Sequence, residues 1–236
     1  MGRNNRKRPD RWSMKAKEAG YAARSVYKLE EIERRFQVLR KTKRVIDLGC
    51  APGSWSQFVR KQRPNVKLVG IDIQNLDQYP GTFLHQSIVD TNPEDFFALL
   101  GGTADLVISD MAPNTSGDRF TDHIRQVELA HMALKTALAT LKQNGIFIAK
   151  VFDGEDAHPF VLSLSQHFSK VRRVKPVAVR NESVEFFVVC MGKKKAVHWS
   201  RPKKTSLEPK SVETNTQEQS GDNPTSTDST GSDDSD

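Results

Sequence analysis

Short apolar runs of strand length alternate with amphipathic stretches along most of this chain, and this alternation constrains its fold more than any other feature. The runs end in turn residues, and apolar residues recur at helical spacing in the stretches between them. The predicted strands span residues 44–48, 67–72, 104–109, 145–152, 171–175 and 183–191, with one more before Ser87. The predicted helices span residues 22–36, 54–62, 93–100, 122–142 and 156–168. Such alternation predicts an α/β fold with a mostly parallel sheet and helices on both faces.

The end of the predicted sheet departs from this pattern. Too few residues separate the last two strands for a helical crossover, which predicts an antiparallel terminal strand. In sheets of this type ligands bind beyond the carboxyl ends of the strands, so functional residues are expected there.

The two ends of the chain differ from its body in composition. Residues 205–236 contain eight acidic residues, one base, thirteen serines and threonines and no aromatic residue. Such a segment cannot bury enough apolar surface to fold, which predicts a disordered acidic tail. Residues 1–18 carry seven bases and little apolar content, which predicts a flexible basic arm, and a second basic run spans residues 193–204.

Charge is divided unevenly between body and tail. The tail carries −7 and the whole chain +7, so the remaining 204 residues carry +14. A folded body this basic usually binds an anionic partner, most often nucleic acid. The alternative is a solvated surface with an accidental bias.

The sequence also excludes several classes of protein. No apolar run approaches the roughly 20 residues of a membrane helix, so no membrane association is expected. Cys50 and Cys190 lack C-x-x-C spacing, which is typical of reduced, buried thiols in a cytoplasmic protein. The six histidines never fall at metal-ligand spacing with a carboxylate or cysteine, so no metal is predicted.

A glycine-containing loop follows the first predicted strand. It runs from Asp47 to Gly53 as DLGCAPG and opens a helix, so the backbone can approach a ligand closely. The loop lacks the G-x-G-x-x-G fingerprint, and its proline removes a backbone donor, which argues against a pyrophosphate and a nicotinamide-dependent oxidoreductase. Asp72 ends the next strand, where a carboxylate accepts from ribose hydroxyls. A nucleoside without a pyrophosphate indicates S-adenosylmethionine; an ordinary β–α turn with a surface aspartate is the alternative.

Other charged residues fall at predicted strand ends. Asp110 ends the strand at 104–109, Lys150 lies within an apolar run, and Glu185 lies in the closing strand. A charge inside a strand is costly unless it is paired, so these residues form either a site or an internal ion pair. Lys28, on the first predicted helix, is a second cation that could reach the same edge, or a plain surface lysine. Asp90 is either an adenine contact or part of a helix cap.

The same residues, in order, resemble those of the FtsJ/RrmJ-type ribosomal RNA large-subunit methyltransferase family. The resemblance covers about residues 12–192 and rests on five ordered motifs. These are Tyr27-Lys28-Leu29; Asp47-Leu48-Gly49 with Ala51-Pro52-Gly53 and Trp55-Ser56-Gln57; Ser109-Asp110-Met111-Ala112-Pro113-Asn114 with Ser116-Gly117; Lys150-Val151-Phe152 with Gly154; and Lys175-Pro176 with Arg180, Ser183 and Glu185.

The resemblance implies a Rossmann-like S-adenosylmethionine-dependent methyltransferase fold. It implies a Lys-Asp-Lys-Glu catalytic tetrad, which maps onto Lys28, Asp110, Lys150 and Glu185. The cofactor contacts it implies map onto Gly53, Trp55, Asp72 and Asp110. The family's adenine-contacting acid aligns with Ser87, and the nearest carboxylate is Asp90.

The resemblance also implies a substrate, a uridine 2′-hydroxyl in 23S rRNA of the large ribosomal subunit. The expected organisation is a basic arm at 1–20, a methyltransferase domain at 21–192, a basic run at 193–204 and the tail at 205–236. We expect a cytoplasmic monomer. Ribose methylation of tRNA or a messenger cap is the alternative enzyme, and a non-catalytic RNA-binding assembly factor is the alternative of another class.

Overall fold

A computed structural model describes residues 10–114, 116–178 and 183–195 of the chain. The N-terminal residues 1–9, the acidic tail and most of the second basic run lie outside these described residues. The helices are α1 (Arg11–Glu18), α2 (Val26–Phe36), α3 (Ser54–Gln62), α4 (Pro93–Leu100), α5 (Arg119–Thr140) and α6 (Ala157–His167), and Ile88–Asp90 form a 3₁₀ turn. The strands are β1 (Arg44–Leu48), β2 (Lys67–Asp72), β3 (Thr82–His85), β4 (Ala104–Ser109), β5 (Leu141–Phe152), β6 (Phe168–Val174) and β7 (Glu185–Lys193).

The seven strands form one sheet in the order β3-β2-β1-β4-β5-β7-β6. Strands β1 to β5 pair in parallel, and β7 runs antiparallel between β5 and β6. The predicted α/β fold with an antiparallel terminal strand is therefore confirmed. Because the first strands are parallel, the loops after β1, β2, β4 and β5 meet at one edge of the sheet, and this edge carries the site.

Alternate residues of the central strands face two separate hydrophobic layers. In β1, Ile46 and Leu48 pack with helices α4, α5 and α6, whereas Val45 packs with α1, α2 and α3. The same alternation recurs in β5, where Phe147 and Ile148 belong to opposite layers. Both faces are therefore covered by helices, as expected for a buried parallel sheet. Within the described ranges, no helix has the length and hydropathy needed to cross a membrane.

The N-terminal segment is more ordered than predicted. The sequence predicts a flexible arm up to residue 20, whereas Arg11–Glu18 form α1. The carboxylate of Asp10 accepts from the backbone N–H groups of Trp12 and Ser13, both at 3.0 Å, and so caps the helix. Ala16 is buried, and the Trp12 ring lies 5.1 Å from the Tyr27 ring, so α1 docks on α2. The prediction is wrong for these residues because a cap and one apolar face outweigh the basic composition.

The second basic run also begins differently from the prediction. The Nζ of Lys193 donates to the carbonyls of Leu138 and Leu141, and the Nζ of Lys194 donates to the carbonyl of Ser165. These lysines therefore bind carbonyl groups of the folded domain, and Lys193 is also the last residue of β7. Burial lowers the pKa of Lys193.

Candidate active site

The loop after β1 requires glycine at its first position. Gly49 adopts φ +70°, and a Cβ there would lie 2.3 Å from Cγ of Met111. The N–H groups of Gly49 and Cys50 both donate to the carbonyl of Ile71, so the loop is fixed to the end of β2. The backbone then turns through Gly53, at φ +99°, into the N-terminus of α3. Close approach of the β1 and β4 loops therefore depends on the missing side chain of Gly49.

A cavity of about 350 Å³ opens at the carboxyl edge of β1, β2 and β4. Its lining mixes carboxylates and amides with apolar side chains, as in sites for small amphipathic ligands. The polar lining includes Asp72, Gln86, Ser87, Asp110 and Asn114. The apolar lining includes Ile73, Ile88, Met111, Leu129 and Met132.

Asp72 lies where the sequence predicts a ribose contact. Its Oδ2 accepts from the backbone N–H of Ala51 and its Oδ1 from that of Gln74, each at 2.8 Å. Since each carboxylate oxygen has two acceptor positions, both can still accept from a ligand. These two bonds fix the carboxylate at the cavity wall.

Three other predicted cofactor residues do not line this cavity. Gly53, the last residue of the loop, and Trp55 are not among the lining residues; the indole Nε1 of Trp55 donates to the carbonyl of Ser25 at 2.8 Å, and the ring lies 5.6 Å from that of Phe187. Trp55 therefore ties the start of α3 to α2 and β7. Asp90 is exposed at the end of the 3₁₀ turn, whereas Ser87, which begins that turn, lines the cavity. Asp90 is therefore not part of the described cavity wall, and its contact with the cofactor stays a prediction.

The four residues of the predicted tetrad meet beside the cavity. Nζ of Lys150 lies 3.2 Å from Oδ1 of Asp110, and Nζ of Lys28 lies 3.6 Å from the same oxygen. Nζ of Lys28 also lies 2.7 Å from Oε1 of Glu185. Four elements thus contribute one charged group each: α2 contributes Lys28, the loop after β4 contributes Asp110, β5 contributes Lys150 and β7 contributes Glu185.

The cluster balances two ammonium groups against two carboxylates while excluding most water. The side chains of Lys28 and Lys150 are 9% and 6% exposed, and those of Asp110 and Glu185 are 17% and 12% exposed. Nζ of Lys150 donates to the backbone carbonyl of Asp110 at 2.7 Å, and Lys28 lies over the ring of Phe187. Burial makes each charge interaction stronger than it would be in water.

One oxygen in this cluster has no well-directed partner. Oδ1 of Asp110 is buried and accepts no aligned hydrogen bond from any side chain or backbone group of the described chain, although both ammonium groups are close. A buried acceptor in this state favours a ligand that brings a donor. Asp110 belongs both to the charged cluster and to the cavity wall, so it joins the two.

Sequence reasoning missed Gln126, which supports Lys150 from helix α5. Its Nε2 donates to the backbone carbonyl of Lys150 at 3.0 Å, and the side chain is 1% exposed. The available signal was a polar residue on the apolar face of a long helix. The bond fixes the backbone position from which the Lys150 side chain extends.

Comparison with known proteins agrees with this geometry. The model of the family described as FtsJ-like methyltransferase matches residues 21–193, which is most of the chain. The chain belongs to this family. A protein from Hyphomonas neptunium, named ribosomal RNA large subunit methyltransferase E, is 45% identical over 186 residues, covering 78% of this chain and 79% of that protein.

Two further relatives extend the comparison. The Caulobacter vibrioides protein of the same name is 43% identical over 185 residues, covering 78% of this chain and 81% of its own length. A crystal structure described as a ribosomal RNA methyltransferase from Plasmodium falciparum superposes with a TM-score of 0.67 at 26% identity. It covers 75% of this chain and all of that one. The predicted family and fold of this FtsJ-like methyltransferase are therefore confirmed.

A buried carboxyl group lies directly beneath the glycine loop. Asp47 is 1% exposed, Ser56 Oγ donates to its Oδ2 at 2.5 Å, and the Ser56 and Tyr79 hydroxyl oxygens are 2.6 Å apart. Burial raises the pKa of Asp47 to about 7, and the Ser56 hydrogen bond opposes this shift. The first loop of the site therefore rests on a carboxyl group that changes charge near neutral pH.

Asp47 should make the protein less stable as the pH rises from about 4 to 7. An unfolded aspartate titrates near 3.9, so in this window the folded chain holds a proton that the unfolded chain has released, and deprotonation favours unfolding. Replacing Asp47→Asn removes this dependence. The unfolding free energy of the variant relative to wild type should rise by about 3–4 kcal/mol between pH 4 and pH 8.

Urea unfolding at several pH values measures this difference. Asp77→Asn, at an exposed position, is the matched control and should show a small offset that is independent of pH. An equally constant offset for Asp47→Asn would contradict the assignment.

Proposed function

We propose that this chain transfers a methyl group from S-adenosylmethionine to a uridine ribose 2′-hydroxyl in 23S rRNA of the large ribosomal subunit. The observation that carries the proposal is the Lys28–Asp110–Lys150–Glu185 cluster beside the 350 Å³ cavity. The names of the relatives support a large-subunit RNA substrate. We further propose that the enzyme acts as a cytoplasmic monomer and without a metal.

The cavity fits S-adenosylmethionine by its donor and acceptor set. Asp72 retains acceptor capacity for ribose hydroxyls, and the backbone groups of the glycine loop adjoin it. Oδ1 of Asp110, which lacks an aligned donor within the described chain, suits the ammonium group at the amino acid end of the cofactor. Ser87 and Val89 would hold the base end, since both line the cavity where Asp90 does not.

When bound, the cofactor supplies an electrophilic methyl carbon attached to sulfur. A ribose hydroxyl is a weak nucleophile until its proton is drawn away. In its neutral amine form, Lys150 Nζ, positioned by the Asp110 carbonyl, receives that proton as the new C–O bond forms and the S–C bond breaks. Lys28, held by Glu185, fixes the hydroxyl oxygen, and Asp110 orients Lys150. Positioning of these groups before reaction supplies much of the acceleration.

The decisive experiment incubates unmethylated large subunits with the full-length protein and labelled methyl donor, followed by mapping of the modified nucleotide. We expect one labelled uridine carrying a 2′-O-methyl group. Label in tRNA or capped messenger RNA, with none in subunits, would show that the substrate is one of those RNAs and not 23S rRNA. Absence of label in every RNA, with retained RNA binding, would favour a non-catalytic assembly factor, and NAD binding in place of S-adenosylmethionine would favour an oxidoreductase.

The replacement Gly49→Ala should abolish or strongly weaken binding of S-adenosylmethionine. The new Cβ would overlap Met111 Cγ, which lines the cavity, and φ +70° adds about 1–2 kcal/mol of strain. Titration calorimetry should show at least about a tenfold loss of affinity, since about 1.4 kcal/mol corresponds to a factor of ten. Gly20→Ala is the control: φ is +77°, but no heavy atom lies within 4 Å of the added Cβ. Equal cofactor affinity in both variants would contradict the close-approach argument.

A further inference from the structure

A group of basic residues lies at the edge of the sheet opposite the active site. A hollow of about 490 Å³ lies between the amino ends of β1 and β2 and the turn after α3. Two shallower hollows adjoin it, sharing Gln62 and Arg63 on one side and Thr42 on the other. Together they form a continuous basic furrow, which we define by Arg40, Lys41, Lys43, Arg63 and Lys67.

The five cations of the basic furrow form no ion pair with Glu33 or Asp105, the two carboxylates that line its flanking hollows. None of the five forms an ion pair within 4 Å with a carboxylate in the described part of the chain, and all but the half-buried Arg63 are exposed. Two neighbouring basic residues, in contrast, have partners within the domain. The Arg44 guanidinium donates to the carbonyls of Leu100 and Gly101, and Lys142 pairs with Asp105. The furrow therefore concentrates positive charge that folding itself does not use.

The chemistry of the lining indicates the kind of anion that fits. Residues 42–44 and 62–67, which line the central hollow, include no aromatic ring for stacking on bases. No large apolar side chain in this region is exposed for insertion into a bilayer. Lysine and arginine with the amides of Gln62 and Asn65 match phosphate oxygens, which proteins contact without reading sequence.

The basic furrow is too far from the catalytic cluster to serve the reacting nucleotide. Strand β1 has five residues and separates the furrow at its amino end from the glycine loop at its carboxyl end. At about 3.3 Å per residue, this distance is on the order of 15 Å through the sheet. An RNA that contacts both edges must pass around the domain, so it must be large and folded.

We propose that the basic furrow is a second RNA contact, which binds the phosphate backbone of the large substrate RNA away from the methylated nucleotide. This inference rests on the proposed function. The contact supplies affinity for the large RNA particle and no chemistry. A short RNA that fills only the catalytic edge does not reach it.

The test uses the full-length protein with Lys41→Glu, Lys43→Glu and Lys67→Glu combined. The control combines Lys135→Glu, Lys170→Glu and Arg172→Glu, which makes the same charge change at exposed positions of α5 and β6. Binding to large subunits, to protein-free 23S rRNA and to a short fragment with the target uridine is measured at several salt concentrations. Binding of S-adenosylmethionine and thermal melting serve as controls for folding.

We expect the furrow variant to bind subunits and protein-free rRNA at least about tenfold more weakly at low salt. Its slope of log affinity against log salt should fall by about two, since three phosphate contacts are lost. The KM for subunits should rise with kcat within a few-fold, and the short fragment should bind and react as with wild type.

Subunit and rRNA affinities equal to those of the control variant would overturn the proposal. Weaker binding to subunits with unchanged binding to protein-free rRNA would also overturn it, in favour of a ribosomal protein as partner. If wild type binds rRNA through the furrow but methylates no RNA, the proposed function fails while the furrow contact stands.

Discussion

Lys150→Ala should abolish methyl transfer to large subunits while the protein still folds and binds S-adenosylmethionine within a few-fold of wild type. The lost amine is the group beside the cavity that can receive the hydroxyl proton, a contribution of about 10²–10⁴ in rate. Loss of its contact with Asp110 also releases the orientation of the cluster, so the expected fall in the single-turnover rate is at least about 10³. Cofactor affinity should change little because Lys150 is not part of the cavity lining.

Two further variants separate proton transfer from charge. Lys150→Arg keeps the positive charge but cannot accept a proton, so it should remain as inactive as the alanine variant. Lys170→Ala, at an exposed position of β6, should retain full activity. Full turnover by Lys150→Ala, or an equal loss of cofactor affinity and rate, would reject the assigned role.

The catalytic cluster could be predicted because the positions of its charged residues relative to the strands are visible in the sequence. A lysine within the apolar run of β5 and an aspartate directly after β4 are costly unless paired, and parallel strands end at one edge. The contact of Lys28 with Glu185 required the packing of α2 on β7, which no local pattern specifies. The family resemblance supplied the four residues of the tetrad, and the structure places Nζ of Lys28 2.7 Å from Oε1 of Glu185.

The residues that line the cofactor cavity were less predictable, because the geometry of short turns decides which side chains face the cavity. Asp90 and Ser87 are three residues apart, and only the 3₁₀ geometry puts the serine in the cavity and the aspartate in solvent. Trp55 lies in the right segment, but its ring packs on Phe187 behind the loop. Gln126 is distant in sequence from Lys150, and a hydrogen bond between a helix and a strand backbone leaves no periodic signal.

The prediction for the start of the chain was wrong because it relied on composition. Composition predicts a flexible arm because basic residues are numerous, but one capping carboxylate and one tryptophan suffice to dock α1. Composition averages over residues, whereas a cap acts through two specific N–H groups. The ammonium group of Lys15, 4.7 Å from the Tyr27 ring centroid, and the ring of Trp12 both contact Tyr27, so a basic residue itself contributes to the docking of α1.

Asp110→Ala should reduce both the rate of methyl transfer and the affinity for S-adenosylmethionine, unlike Lys150→Ala. Asp110 lines the cavity and is also the carboxylate that faces both lysines, at 3.2 and 3.6 Å. Removing it leaves two buried ammonium groups with only Glu185 as counter-charge, so Lys150 loses its orientation and repels the positively charged cofactor. We expect a fall of about 10³ in rate and at least about tenfold in cofactor affinity, measured by single-turnover kinetics and calorimetry.

The double variant Lys150→Ala/Asp110→Ala decides whether the two residues act as a unit. If they do, its rate should fall little below that of Lys150→Ala alone, because each change already disables the same proton transfer. Its cofactor affinity should partly recover relative to Asp110→Ala, since the unbalanced Lys150 ammonium has been removed. Asp153→Ala, which breaks only an exposed ion pair with Arg173, is the control and should stay within about twofold of wild type. Additive losses of rate in the double variant would show that Asp110 serves the cofactor alone and that Lys150 is oriented by its bond to the Asp110 backbone carbonyl.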